Sequence, residues 1–188
     1  CTNDLTDNRT WTFTDKCGNA DSYTQVITVT DNAAPVIQET VPADVSEQCA
    51  SAFPNDPPTL TALDNCDGEI KSVPVDTELS RSCDNQFSTD RTWTFTDVCL
   101  NDSSESQLIT INDDTKPVFD SFPADVKLTC EDPCAKSLFL SSECTGKPAS
   151  TDNCDGSIIP VKFDVSEDDT TGVTITRSWT ASDVCGDL

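Results

Sequence analysis

The feature that most constrains this chain is that it repeats itself. Arg-Thr-Trp-Thr-Phe-Thr-Asp-Lys-Cys at residues 9–17 returns as Arg-Thr-Trp-Thr-Phe-Thr-Asp-Val-Cys at 91–99, 82 residues later. It returns again as Arg-Ser-Trp-Thr-Ala-Ser-Asp-Val-Cys at 177–185, a further 86 residues on. Pro-Ala-Asp-Val occurs at 42–45 and 123–126, Asp-Asn-Cys-Asp-Gly at 64–68 and 152–156, and Gln-Val-Ile-Thr-Val at 25–29 answers Gln-Leu-Ile-Thr-Ile at 107–111. Several landmarks in one order at one period mark a row of like modules rather than one large domain.

Within the repeat the apolar pattern has a period of two. Trp11 and Phe13 alternate with Thr10, Thr12 and Thr14, which puts rings on one face of a strand and hydroxyls on the other. Tyr23, Gln25, Ile27 and Val29 share a face of the next segment, opposite Thr24, Thr28 and Thr30. A Gly-Asn or Leu-Asn turn between the two segments makes them a hairpin. β-Branched residues dominate, prolines punctuate, and no stretch carries a helical apolar period. The chain is therefore expected to be all-β, with about seven short strands per repeat forming a two-sheet sandwich, and with Trp11, Trp93 and Trp179 in its cores.

Asp-Asn-Ala-Ala-Pro at 31–35 and Asp-Asp-Thr-Lys-Pro at 113–117 read as joints, because proline removes a ladder donor and stiffens the backbone. Residues 33–114 then form one complete module. Residues 1–32 are the last strands of a preceding module, and residues 115–188 form a module lacking its last strand. A sandwich short of a strand has an open edge. Either the array continues in the same polypeptide, or a neighbouring subunit supplies the strand by β-augmentation.

Eleven cysteines and no histidine exclude mixed Cys/His zinc sites, and there is no Cys-x-x-Cys pair. Disulfides in an oxidising compartment are the expected state. The complete repeat holds Cys49, Cys66, Cys83 and Cys99, for which three connectivities exist. Pairing of sequence neighbours gives Cys49–Cys66 and Cys83–Cys99, with Cys1–Cys17 reproducing the second pair and Cys130–Cys154 the first. Cys134–Cys144 would close an insertion in the third repeat. Asp169 stands where Cys83 stands one repeat earlier, so Cys185 is left unpaired or intermolecular unless that module reshuffles its bonds. Each bridge over a loop of about 15 residues contributes on the order of 3 kcal/mol in the chain-entropy model, which matters for a module of this size.

The net charge of −23, from 34 acidic and 11 basic residues, repels phosphate backbones and anionic lipid. It argues against nucleic-acid and membrane-surface partners, and no apolar run approaches the ~20 residues of a membrane span. Carboxylates are plentiful, but they lie in repeated turns and joints. There is no Gly-x-Ser-x-Gly elbow and no Gly-rich phosphate loop. The expectation is a non-enzyme that requires no cofactor.

The ordered set Pro-Ala-Asp-Val, Asp-Asn-Cys-Asp-Gly, Arg-Thr-Trp-Thr-Phe-Thr-Asp-x-Cys and Gln-x-Ile-Thr-Val, closed by a proline joint, resembles the HYR-like (hyalin-repeat-like) modules of long secreted and cell-surface proteins. The resemblance covers essentially the whole chain. It implies tandem immunoglobulin-like sandwiches with disulfides inside each module, and an extracellular role in adhesion or assembly. The insertion carrying Cys134 and Cys144 and the Asp at 169 depart from the pattern.

Two kinds of site are legible. Asp31 with Asn32, and Asp113 with Asp114, are candidate calcium ligands at the joints, since hard cations take several oxygens. Asp64, Asn65, Asp67 and Glu69, with Asp152, Asn153 and Asp155, form a second recurrent set. For both sets the competing reading is turn chemistry, with side chains bonding their own backbone, in the second set ahead of Gly68 or Gly156. Asn8 and Asn101 begin glycosylation sequons, and the threonine rows Thr10, Thr12, Thr14 and Thr92, Thr94, Thr96 offer O-linked positions or plain strand threonines. These features fit a stalk or filament whose partners are copies of itself. The alternative is a cell-surface adhesin whose repeats recognise glycans or other cells.

Overall fold

The computed structural model describes residues 3–129, 131–133, 145–169 and 172–186. The architecture is all-β and sandwich-like. Two compact units divide it: residues 1–45, 54–77 and 89–108 form the first, and residues 46–53, 78–88 and 109–188 the second. Each unit draws on residues from both sides of one predicted joint.

In the first unit, β1 (Leu5–Thr14) and β2 (Ala20–Val29) make a two-stranded antiparallel hairpin in register from Leu5 opposite Val29 to Thr14 opposite Ala20. Next along the chain come β3 (Val36–Ile37), β4 (Val45–Glu47), which starts at the last residue of the first unit's segment 1–45, and the turn of 3-10 helix at Ala50–Ala52, which belongs to the second unit. Strands β5 (Leu60–Asp64) and β6 (Gly68–Ser72) join β3 in a sheet of order β3-β5-β6. The long strands β7 (Val75–Cys83), β8 (Gln86–Thr96) and β9 (Asp102–Asn112) form the other sheet with β4, in the order β4-β9-β8-β7.

The core of this unit lies where the two sheets face each other. Leu60 and Ala62 of β5 pack on Trp93 and Phe95 of β8, with Ile37, Val41 and Ile70 at the margin. Burying side chains of this size contributes about 1.5–3 kcal/mol each, the largest local source of stability. The alternation expected for the repeat holds in β8, whose residues are buried at every second position from Phe87 to Phe95. Trp93 also satisfies its indole N–H on the Pro58 carbonyl at 3.0 Å. Arg91 is buried beside it and donates to both Asp76 carboxylate oxygens, at 2.7 and 2.8 Å, and to the Pro54 carbonyl.

The expectation for the first copy of the motif is corrected. Trp11 and Phe13 are 40% and 71% exposed, because among the described residues the β1–β2 sheet has two strands and the Trp11 ring stacks on Tyr23 of its own hairpin.

In the second unit Ile109 and Ile111 at the end of β9 are buried, and Phe87 packs on Phe53 under the Arg81 guanidinium. Strands β10 (Val118–Ser121), β11 (Ala149–Asp152) and β12 (Gly156–Ile158) form one antiparallel sheet, and β13 (Val161–Asp169) pairs with β14 (Gly172–Thr180). Trp179 is half-buried there, and Arg177 repeats the Arg91 clamp by donating to both oxygens of Asp164 at 2.7 and 3.0 Å.

Candidate functional site

The recurrent acidic residues are turn builders first. Asp64 Oδ1 accepts the backbone N–H groups of Cys66 and Asp67, and Asp152 Oδ1 accepts those of Cys154 and Asp155. Gly68 and Gly156 follow at φ of 77° and 69°, a left-handed conformation in which a Cβ is strained. The joint aspartates behave alike: Asp31 Oδ1 accepts from Ala33 N and Asp113 Oδ1 from Thr115 N. The turn reading therefore holds for one oxygen of each carboxylate.

The other oxygen is different. Oδ2 of Asp31, Asp64, Asp113 and Asp152 is buried with no hydrogen-bond partner, although unsatisfied buried polar atoms are rare in folded proteins. Folding brings the two sets together, since Asp31, Asp64 and Cys66 offer ligand atoms within 4.8 Å of one another in the first unit. Asp113, Asp152 and Cys154 do the same in the second. Asp114 is not in either group. Asn32 and Asp114 are both exposed, and Asp114 accepts from Gln48 Nε2 at 2.8 Å. The carboxylates that come together are thus one joint aspartate and the first aspartate of the Asp-Asn-Cys-Asp-Gly turn. Burial pushes the Asp113 carboxyl up, and the negative field of Asp152, Asp183 and Asp155 adds to it against one backbone hydrogen bond from Thr115.

Around each cluster the same contacts recur. Asn3 Nδ2 donates to Asp67 Oδ1 at 2.6 Å and Val98 N to Asp67 Oδ2. One repeat later Asn85 Nδ2 donates to Asp155 Oδ1 at 2.8 Å and Val184 N to Asp155 Oδ2. Sequence reasoning missed Asn3 and Asn85, although their spacing of one repeat was visible.

The cysteine pairing departs most from expectation. Cys49 bonds Cys154, and Cys83 bonds Cys185. Cys99 is also disulfide-bonded, while Cys17 and Cys66 are free and exposed. The expected Cys49–Cys66, Cys83–Cys99, Cys1–Cys17 and Cys130–Cys154 bonds are therefore corrected, and Cys185 is not unpaired. Geometry explains it for Cys83 and Cys99, which flank the 11 residues of β8. At about 3.3 Å per residue such a strand separates its ends by roughly 35 Å, whereas a disulfide needs Cα atoms within about 7 Å. Cys1, Cys130, Cys134 and Cys144 lie outside the described residues, and with them the Cys134–Cys144 bond. Desolvation, then a hydrogen bond to the Asp31 carboxylate and the negative field of Asp31, Asp64 and Asp67, push the Cys66 thiol up.

Of the sugar candidates, Asn8 and the threonines Thr10, Thr12, Thr14, Thr94 and Thr96 are exposed, and Thr92 is half-buried. Asn101 instead gives its amide to Asp97 Oδ2 at 2.7 Å and to the Asp31 carbonyl at 3.3 Å.

Residues 35–111 match the family model of the HYR-like domain with 4 cysteines, and the matched segment holds the four cysteines Cys49, Cys66, Cys83 and Cys99. HYR-like domains are typically extracellular and in general non-enzymatic. No curated protein and no solved structure matches the chain. Among the described residues no helix is long and apolar enough to cross a membrane.

Proposed function

We propose that the chain is an extracellular structural protein whose repeats are cross-linked one to the next into a stalk or filament. The observation that carries this is the reach of the disulfides. Cys49–Cys154 and Cys83–Cys185 span 105 and 102 residues, more than one repeat of 82–86. Cys154 occupies the place of Cys66 in its own repeat, and Cys185 the place of Cys99 and Cys17. Each bond thus runs from a donor position in one sequence repeat to a recipient position in the following one, with both of its cysteines inside one compact unit.

Cys17 and Cys66 are recipient positions with free thiols. They suit the donor cysteines of a preceding repeat, whether in the same polypeptide or in a neighbouring copy. By sequence position Cys130 is the donor equivalent of Cys49, so a Cys130–Cys66 bond joins one copy to the next. It forms when two thiols lose two protons and two electrons to a disulfide oxidant. Asn8, exposed on β1, is the sequon best placed to carry a glycan on such a thread.

The test is non-reducing electrophoresis of the purified chain in glutathione disulfide. A ladder of covalent multimers is expected, collapsing on reduction and lost in both Cys66→Ser and Cys130→Ser. A wild-type chain that stays monomeric, or a ladder that survives both substitutions, overturns the assembly reading.

A further inference from the structure

We infer that the chain binds calcium at two equivalent sites, one held by Asp31 and Asp64 and the other by Asp113 and Asp152. These four carboxylates are 4%, 4%, 1% and 9% exposed. Each uses Oδ1 in its own turn and leaves Oδ2 buried without a partner. Two ionised carboxylates held this close and out of water repel each other and lose hydration, a cost normally relieved by a cation or a proton. None of the ion pairs among the described residues reaches any of the four. The charge is therefore left for a ligand.

The chemistry of the donors selects the ion. A sulfur lies in each cluster, but Cys154 is locked in a disulfide with Cys49 while Cys66 is a free thiol. A thiolate is thus no common feature of the two sites, and zinc loses its usual ligand. What the sites share is carboxylate oxygen, the ligand of hard cations. Calcium accepts 6–8 oxygens in flexible geometry and tolerates water among them, whereas magnesium demands a tight octahedron. With few protein carboxylates per ion, the affinity belongs to the extracellular class, about 10⁻⁴–10⁻³ M.

Position gives the ion its role. Asp31 and Asp113 stand at the two joints, two residues before Ala33 and Thr115, whose N–H groups they hold. Asp64 and Asp152 stand at the β5–β6 and β11–β12 turns. An ion shared between them pins each joint to a turn, once per repeat. The site does not depend on whether the chains assemble into a filament.

Isothermal titration of the chelator-treated full chain with calcium chloride tests this. We expect saturable binding at two sites, with Asp31→Asn and Asp113→Asn each removing one, and a thermal midpoint raised by about 5 °C at ~10 mM calcium. Should either variant fail to fold, the wild-type midpoint in calcium against chelator still decides. A wild-type midpoint that calcium does not move, or binding that persists in the chain carrying both substitutions, overturns the inference.

Discussion

In β8, Trp93 and Phe95 are fully buried; in β1 the same motif positions, Trp11 and Phe13, are 40% and 71% exposed. Both strands belong to antiparallel hairpins, and both carry Arg-Thr-Trp-Thr-Phe-Thr-Asp. The difference lies in what faces them. Leu60 and Ala62 of β5 cover β8, whereas the Trp11 ring stacks on Tyr23 of its own hairpin, at 6.3 Å between centroids. Alternation decides which face of a strand is apolar, and a second sheet decides whether that face is dry. The burial therefore belongs to the sandwich and not to the motif.

The largest way to break this comparison is to delete the same ring from both hairpins. Trp93→Ala removes a fully buried side chain together with its bond to the Pro58 carbonyl, and should cost about 3–5 kcal/mol in urea denaturation. Trp11→Ala should cost less than about 1 kcal/mol, as for substitutions away from a core. Equal losses would mean that the β1–β2 face is covered in solution, which would point to a repeat packed against it.

The third copy of the motif offers a smaller test through its charge clamp. The Arg177 guanidinium, by its hydrogen bonds and then its charge, holds the Asp164 carboxyl below the usual carboxylate range. A depressed carboxylate contributes stability that is present above its unfolded pKa, near 3.9, and is lost as pH falls through its folded value. Asp164→Asn should therefore lower stability by about 0.5–1 kcal/mol at pH 7. The gap to wild type should close as pH falls below about 4, and thermal scans from pH 7 to pH 3 measure it. A gap that stays constant with pH would show that packing, not the carboxylate charge, carries the effect.

Much of this fold was legible because its signals are local. The alternation around Trp93, the hairpin turn at Leu100 and Asn101, and the Asx turns at Asp64 and Asp152 each depend on a few adjacent residues. The pairing of Cys49 with Cys154 was not legible. It depends on which repeat lies beside which, and sequence neighbours such as Cys83 and Cys99 sit at opposite ends of an 11-residue strand. The candidate ion site was half legible for the same reason. Asp31 and Asp64 were each singled out, but only folding shows that they form one cluster, while Asn32 is exposed.

A difference of similar size, and one near zero, lie in the turn that closes the two hairpins. Asp15 Oδ1 accepts from Cys17 N and Asn19 N, and Asp97 Oδ1 accepts from Cys99 N and Asn101 N. This clamp forces positive φ on the residue between, which is Gly18 at 90° in one hairpin and Leu100 at 69° in the other. A left-handed side-chain residue costs roughly 1–2 kcal/mol, and glycine's greater freedom in the unfolded chain offsets about 0.5–1 kcal/mol of any relief. Asn101 also donates to the Asp31 carbonyl, which anchors the buried hairpin's turn to its joint and lets it hold a leucine there. Gly18→Leu should thus cost about 1 kcal/mol, while Leu100→Gly should move stability by no more than about 0.5 kcal/mol. If thermal denaturation shows Leu100→Gly to be strongly stabilising, the Asn101 anchor compensates for none of the strain, and the two turns differ only in the residue they hold.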